Sequence, residues 1–156
     1  MNEETLMKIA IAKAMEGVRK GQAPFGACIS KDGEVISAAY NSVWQDIDIT
    51  AHAEINAIRD ACKNLNTIDL SGYTIYSTTE PCPMCFSAIY WACISGIVFG
   101  STIEDARELG FKEMLISNEQ MKTLSLSNIE IRGGFLKEEC LKVFEEWMLP
   151  PGRRTY

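Results

Sequence analysis

A chain of 156 residues fits one ordinary domain, and 47% hydrophobic with 23% charged residues lies near the soluble globular average, which excludes disordered, collagen-like and low-complexity readings. Its 15 Lys and Arg against 21 Asp and Glu give a net charge of -6, so a surface built to grip many phosphates is the minority expectation. Glu3 and Glu4 stand where a secretory signal carries positive charge, no apolar stretch of signal length follows, and a cytoplasmic location is expected.

Asn2 can cap a first helix, whose Leu6, Ile9, Ala10, Ala14 and Val18 recur at helical spacing up to the stop signal Gly21. Phe25 to Ser30 and Glu34 to Tyr40 read as strands joined by the hairpin turn Lys31-Asp32-Gly33, with Asn41 just beyond the second. A polar loop leads to Thr50, the expected cap of a helix running to about Leu65, with Ala53, Ala57, Ile58 and Ala61 as its inner face. His52 and Glu54 fall in its first turn. Strand three is expected at Thr74 to Thr78, after which Pro81-Cys82-Pro83-Met84-Cys85 opens a helix. Gly96 to Gly100 reads as a short buried strand, Ile103 to Ser127 as a looser region with short helices, Ile129 to Arg132 as the last strand and Lys137 to Met148 as the closing helix. Pro150-Pro151-Gly152 breaks that helix and launches a tail through Arg153, Arg154 and Tyr156.

No charged residue occurs from Pro81 to Ile103, long enough to cross a bilayer, yet the prolines at its start and Ser95-Gly96 within it favour a buried helix followed by a covered strand. Helices alternating with strands after an opening hairpin predict an α/β fold, a three-layer α/β/α sandwich around a central mixed five-stranded sheet. The division expected is a single domain over 1-156, with 150-156 as a tail over or near the active site.

His52, Glu54, Cys82 and Cys85 supply an imidazole, a carboxylate and two thiols at two helix starts. Zinc prefers nitrogen and sulfur donors in a tetrahedron, and three protein ligands leave the fourth position open to water, the arrangement of a catalytic site. The positive ends of the two helices favour the thiolates that metal binding needs. Two other readings compete. Cys-x-x-Cys serves as half of a closed structural site, but Cys28, Cys62, Cys93 and Cys140 form no second pair and His52 is the single histidine. A redox dithiol of the thioredoxin type accounts for the cysteines and leaves His52 and Glu54 unexplained.

With His52-Ala53-Glu54 and Pro81-Cys82-Pro83-Met84-Cys85 the sequence resembles the cytidine deaminase-like superfamily of zinc deaminases, and within it the guanine deaminases most. The likeness runs from the opening helix through Pro24-Phe25-Gly26-Ala27, Asn41 and Thr79-Glu80-Pro81-Cys82 to the closing helix. It implies that His52, Cys82 and Cys85 hold one Zn2+ per chain, and that Glu54 takes a proton from the metal's water and returns protons to a ring nitrogen and the departing amine. It further implies substrate contacts from Phe25, Asn41, Ala53, Glu113 and Tyr156, and from Trp91 into a neighbouring subunit's pocket, hence a homodimer.

Each of these residues also has a plainer role: Phe25 as core, Asn41 as a turn residue, Trp91 as dimer or core packing, Glu113 as a solvated charge and Tyr156 as a frayed end. Glu113 departs from the resemblance, because guanine deaminases carry Asp at the matching place. The resemblance implies hydrolysis of a free nucleobase, guanine first, with cytosine or a related aminated heterocycle next. Arg153 and Arg154 raise the alternative of a tRNA adenosine, and a zinc-binding module without catalysis is the reading from a different class.

Overall fold

The elements, in chain order, are α1 (Glu3–Arg19), β1 (Gly26–Lys31), β2 (Glu34–Tyr40), α2 (Val43–Asp46), α3 (Ala53–Leu65), β3 (Thr74–Thr79), α4 (Pro83–Trp91), β4 (Gly96–Ser101), α5 (Ile103–Glu108), α6 (Asn118–Ser125), β5 (Glu130–Arg132) and α7 (Lys137–Met148). The computed structural model describes residues 1–156. The Asn2 side chain accepts from the Thr5 amide at 2.9 Å and so caps α1. The β1–β2 turn places both Asp32 and Gly33 at positive φ, 51° and 77°, the backbone that a two-residue hairpin of matching twist requires.

The five strands lie in the order β2-β1-β3-β4-β5, with β1 antiparallel to β2 and β3, and β3, β4 and β5 parallel. Strand side chains alternate between faces. Ala27, Ile29, Ile75, Ile97 and Phe99 pack with Ala53, Ala57 and Ala61 of α3 and with Phe86 and Ile89 of α4. Cys28, Tyr76 and Val98 face the other way, onto Leu6, Met7 and Ala10 of α1 and Cys140 of α7. The expected three-layer sandwich around a mixed five-stranded sheet follows. No helix is long and apolar enough to cross a membrane, because the uncharged run from Pro81 divides into α4 and the fully buried β4. At Gly26 a Cβ would press on the backbone of Ala10 and Ala14, so the missing side chain lets α1 lie directly on β1.

Two local expectations fail. Thr50 is not the cap of α3; its amide and hydroxyl both bond Asp48 Oδ1, at 2.8 and 2.7 Å, in a local turn that competes with capping. His52 takes the cap position instead. The short α2 was not anticipated: four residues are too few to show a period. Strand ends shift by one residue, with β1 starting at Gly26 after Phe25, and β3 and β4 reaching Thr79 and Ser101.

Candidate metal centre and active site

Helices α3 and α4 both begin with a ligand-type residue at the cap, His52 and Cys82, and neither side chain bonds the amides of its own helix. Extended backbone at both caps leaves the imidazole and thiol free to face each other. Pro83 opens α4, where its missing N–H costs nothing, and Cys85 follows Cys82 by three residues, onto the same face. His52 Nδ1 lies 3.6 Å from Cys82 Sγ and 3.6 Å from Cys85 Sγ, and the three ligand atoms are all within 4.8 Å of one another. Tetrahedral zinc with ordinary bond lengths needs an N···S separation of about 3.6 Å. The donor set and its spacing therefore fit zinc, and no fourth His, Cys, Asp or Glu joins the cluster to close it.

Without a cation the cluster shares protons unequally. A hydrogen bond from Cys85, aided by the bond and charge of His52, brings Cys82 down to about 4 against the cost of burial. Burial, and the bond it donates to Cys82, push Cys85 well above the ordinary thiol value. For His52, burial works to lower the imidazole, but the Cys82 bond and the Glu54 charge prevail and raise it. The imidazole and the two thiols thus compete for protons in a low-dielectric recess, the kind of site in which a divalent cation displaces protons from its ligands.

Glu54, in the first turn of α3, is 6% exposed, and its Oε1 accepts from Ser77 Oγ at 3.4 Å. Burial, then the neighbouring Cys82 charge, raises its carboxyl, which suits it to hold a proton between transfers. Beside it is a cavity of about 20 Å³ whose wall includes Phe25, Asn41, His52, Glu113 and Tyr156. Asn41 is fully buried, and its Nδ2 donates to the Tyr156 hydroxyl. Glu113 rises to about 7, through burial and then the charges of Cys82 and Glu54. Four residues expected from the sequence, Phe25, Asn41, Glu113 and Tyr156, are therefore gathered around His52 and Glu54, from four separate parts of the chain.

The remaining two are not. Ala53 is fully buried in the core of α3, outside the cavity wall. Trp91 is 79% exposed and borders the largest surface cleft, about 760 Å³, which runs past the first residues of β3, β4 and β5, at the opposite end of the strands from Thr79 and Cys82. Of the two, only the small cavity adjoins ionisable groups with displaced protonation, the usual mark of a functional site. A second opening of about 460 Å³ leads outward past Ile49, Met84, Phe111 and Met114.

The tail folds back over the site. The Tyr156 backbone oxygen accepts from the Lys112 amide at 2.9 Å, and its ring packs 5.2 Å from Phe111 and 5.4 Å from His52. Arg154 stacks on Trp44 at 4.2 Å and Arg153 lies 5.7 Å from the Trp147 ring, so both guanidinium groups serve contacts within the chain. Sequence reasoning missed Trp44, Ser77, Glu80 and Asn118. Glu80 alone offered a signal, as the last charge before the long uncharged run.

Residues 1–101 match the family described as the cytidine and deoxycytidylate deaminase zinc-binding region. The chain is 40% identical over its full length to guanine deaminase of Bacillus subtilis, covering all of that protein. It is 45% identical over 101 residues, 65% of this chain and 67% of the other, to a tRNA-specific adenosine deaminase of Aquifex aeolicus. Among solved structures, guanine deaminase from Nitrosomonas europaea superposes with a TM-score of 0.86 at 26% identity, over 94% of this chain and 85% of that one.

Proposed function

The chain belongs to the cytidine and deoxycytidylate deaminase zinc-binding family and is a zinc-dependent deaminase that hydrolyses a carbon–nitrogen bond; from that premise we propose that its substrate is free guanine, converted with water to xanthine and ammonia. The observation that carries the reading is the gathering of Asn41, Glu113 and Tyr156 about Glu54. Two of these three lie beyond residue 101, in the part shared with the full-length guanine deaminase likeness and outside the matched family region.

His52, Cys82 and Cys85 would hold the zinc, which when bound would act as a Lewis acid and make water a competent nucleophile near neutral pH. Glu54, held at the cavity wall by α3, takes the two protons of water in turn and passes the first to the ring nitrogen and the second to the departing amine, so that the carbonyl forms as the carbon–nitrogen bond to ammonia breaks. The Asn41 amide both donates and accepts, matching the mixed edge of a purine. Glu113, near neutrality, donates to an acceptor or accepts from the exocyclic amine, and its extra methylene relative to Asp adapts its reach. Phe25 offers an aromatic wall. Tyr156 excludes solvent: 20 Å³ leaves room for about one water molecule, so a heterocycle enters only when the tail moves.

The same proposal includes a cytoplasmic homodimer. Met84, Met114 and Leu115 expose apolar surface beside the opening, Trp91 exposes more beyond it, and the six free cysteines suit a reducing compartment. A tRNA substrate is the second reading, favoured by the Aquifex likeness; the engagement of Arg153 and Arg154 with tryptophan rings and the net charge of -6 argue against it. Ammonia release from guanine, cytosine, adenine, their nucleosides and a tRNA anticodon stem decides the matter. Guanine is expected to give the highest kcat/KM with little dependence on salt, and preference for the RNA with a steep salt dependence overturns the proposal.

A further inference from the structure

Between α5 and α6 the segment 109–117 carries Phe111 and Glu113 and belongs to no sheet. Its own amides make short-range bonds, Glu113 to the Phe111 oxygen at 2.9 Å and Ile116 to the Met114 oxygen at 2.8 Å, apart from the contact of Lys112 with Tyr156. Phe111, buried against Phe25, Trp147 and Tyr156, anchors the segment, and the start of α6 fixes the stretch that follows Glu113. Both flanking helices start with a complete capping box, Thr102 with Asp105 and Ser117 with Gln120, and both boxes leave the amide of the first helical residue over.

Both leftover amides go to one carboxylate. Asn118 N donates to Glu80 Oε1 at 2.8 Å, and Ile103 N donates to Glu80 Oε2 at 3.4 Å. The Asn118 side chain then donates from Nδ2 to the Pro81 oxygen at 2.6 Å, next to the cysteine that starts α4. Glu80 is 8% exposed and Asn118 is fully buried, with Oδ1 left without a partner. Helices already capped do not need this arrangement, and a buried carboxylate with an unpaired amide oxygen is a costly way to join them. Its effect is geometric: it ties the start of α5 and the start of α6, which directly follows the Glu113 segment, to the strand end that leads into Cys82.

We propose that Glu80 and Asn118 form a clamp that positions Glu113 over the deamination site, which makes both of them positioning residues. The inference rests on the reading of Glu113 as a substrate contact. Glu80→Gln keeps the shape but presents an NH2 group where a second acceptor stood; Asn118→Ala removes the bond to Pro81 while leaving the Glu80 charge in place.

The test is a pair of double-mutant cycles in the zinc-loaded full chain, E80Q with E113Q and N118A with E113Q, reading kcat and KM for guanine together with zinc content. E80Q and N118A are each expected to retain one zinc and to lower kcat/KM by about 10- to 100-fold, the size of effect a misplaced group produces. In the E113Q background each is expected to add no more than about twofold. Multiplicative losses in both cycles, loss of zinc in E80Q, or coupling in E80Q without coupling in N118A overturns the clamp, the last by assigning the effect to charge. If E80Q does not fold, the N118A cycle decides alone. E113Q with wild-type kinetics marks failure of the underlying reading of Glu113, and the clamp falls with it; a damaged E113Q with multiplicative cycles rejects the clamp only.

Discussion

Two pairs of cysteines flank one sheet in different surroundings, and only one of the four thiols is brought down. Cys28 of β1 and Cys140 of α7 lie in the layer under α1, where burial pushes both thiols up to about 12 and neither meets a cation. Cys82 and Cys85 stand at a helix start opposite an imidazole, and Cys82 falls to about 4. Cys85 is as fully buried as Cys28. Burial raises Cys85 as it raises Cys28; what sets the second pair apart is the imidazole that faces it and the helix start on which it sits.

The contrast breaks most directly through the metal. His52→Ala or Cys85→Ser is expected to reduce zinc from one per chain to a small fraction and to remove measurable activity, whereas Cys28→Ser is expected to leave zinc content unchanged; metal analysis after gel filtration reads both. Glu54→Gln keeps the metal and its ligands but removes the proton carrier, so kcat is expected to fall by about 10²- to 10⁴-fold at unchanged zinc content. An active Glu54→Gln protein with full metal would refute the assigned role.

The metal side of this comparison was legible in the sequence, and the packing side only in outline. Ligand chemistry is local: His-x-Glu and Cys-x-x-Cys spacings fix the relative placing of side chains on a helix start, so His52, Glu54, Cys82 and Cys85 were readable without coordinates. The three-layer fold followed from alternating periods, since each strand shows its two faces through residues such as Cys28 and Ile29. The Glu80–Asn118 arrangement was not legible, because it joins residues 38 apart in sequence through backbone amides that carry no side-chain signature. Thr50 misled for a related reason: a Thr caps equally well a helix or a local turn, and Asp48 was close enough to win. Ala53 does not border the cavity, and Trp91, expected at a neighbouring subunit's pocket, is exposed at the other end of the strands.

Smaller effects sharpen the comparison. Asn41→Ala removes a buried amide that pairs with Tyr156 and is expected to lower kcat/KM for guanine by about 10- to 100-fold through unpaired polar groups in the complex, with zinc intact. On the opposite face, Cys28→Ser places a hydroxyl where a thiol met only apolar neighbours, at a cost of about 1–3 kcal/mol in urea unfolding and no change in kcat. The last test concerns pH in the metal-free protein. Because the folded-state value of Glu113 is about 7, above the ordinary 4.5, the native state keeps a proton that the unfolded chain releases, and this residue's contribution to stability falls as pH rises between those values. The urea midpoint of Glu113→Gln is therefore expected to gain on that of the wild type from pH 4.5 to 7; a constant gap contradicts it.

Zinc-edge X-ray absorption of the loaded protein tests the open metal centre most directly. Two sulfurs at about 2.3 Å and two lighter atoms at about 2.0 Å are predicted; with a single histidine in the chain, the second light atom is an oxygen. A third sulfur in the shell, or no zinc at all, contradicts the account.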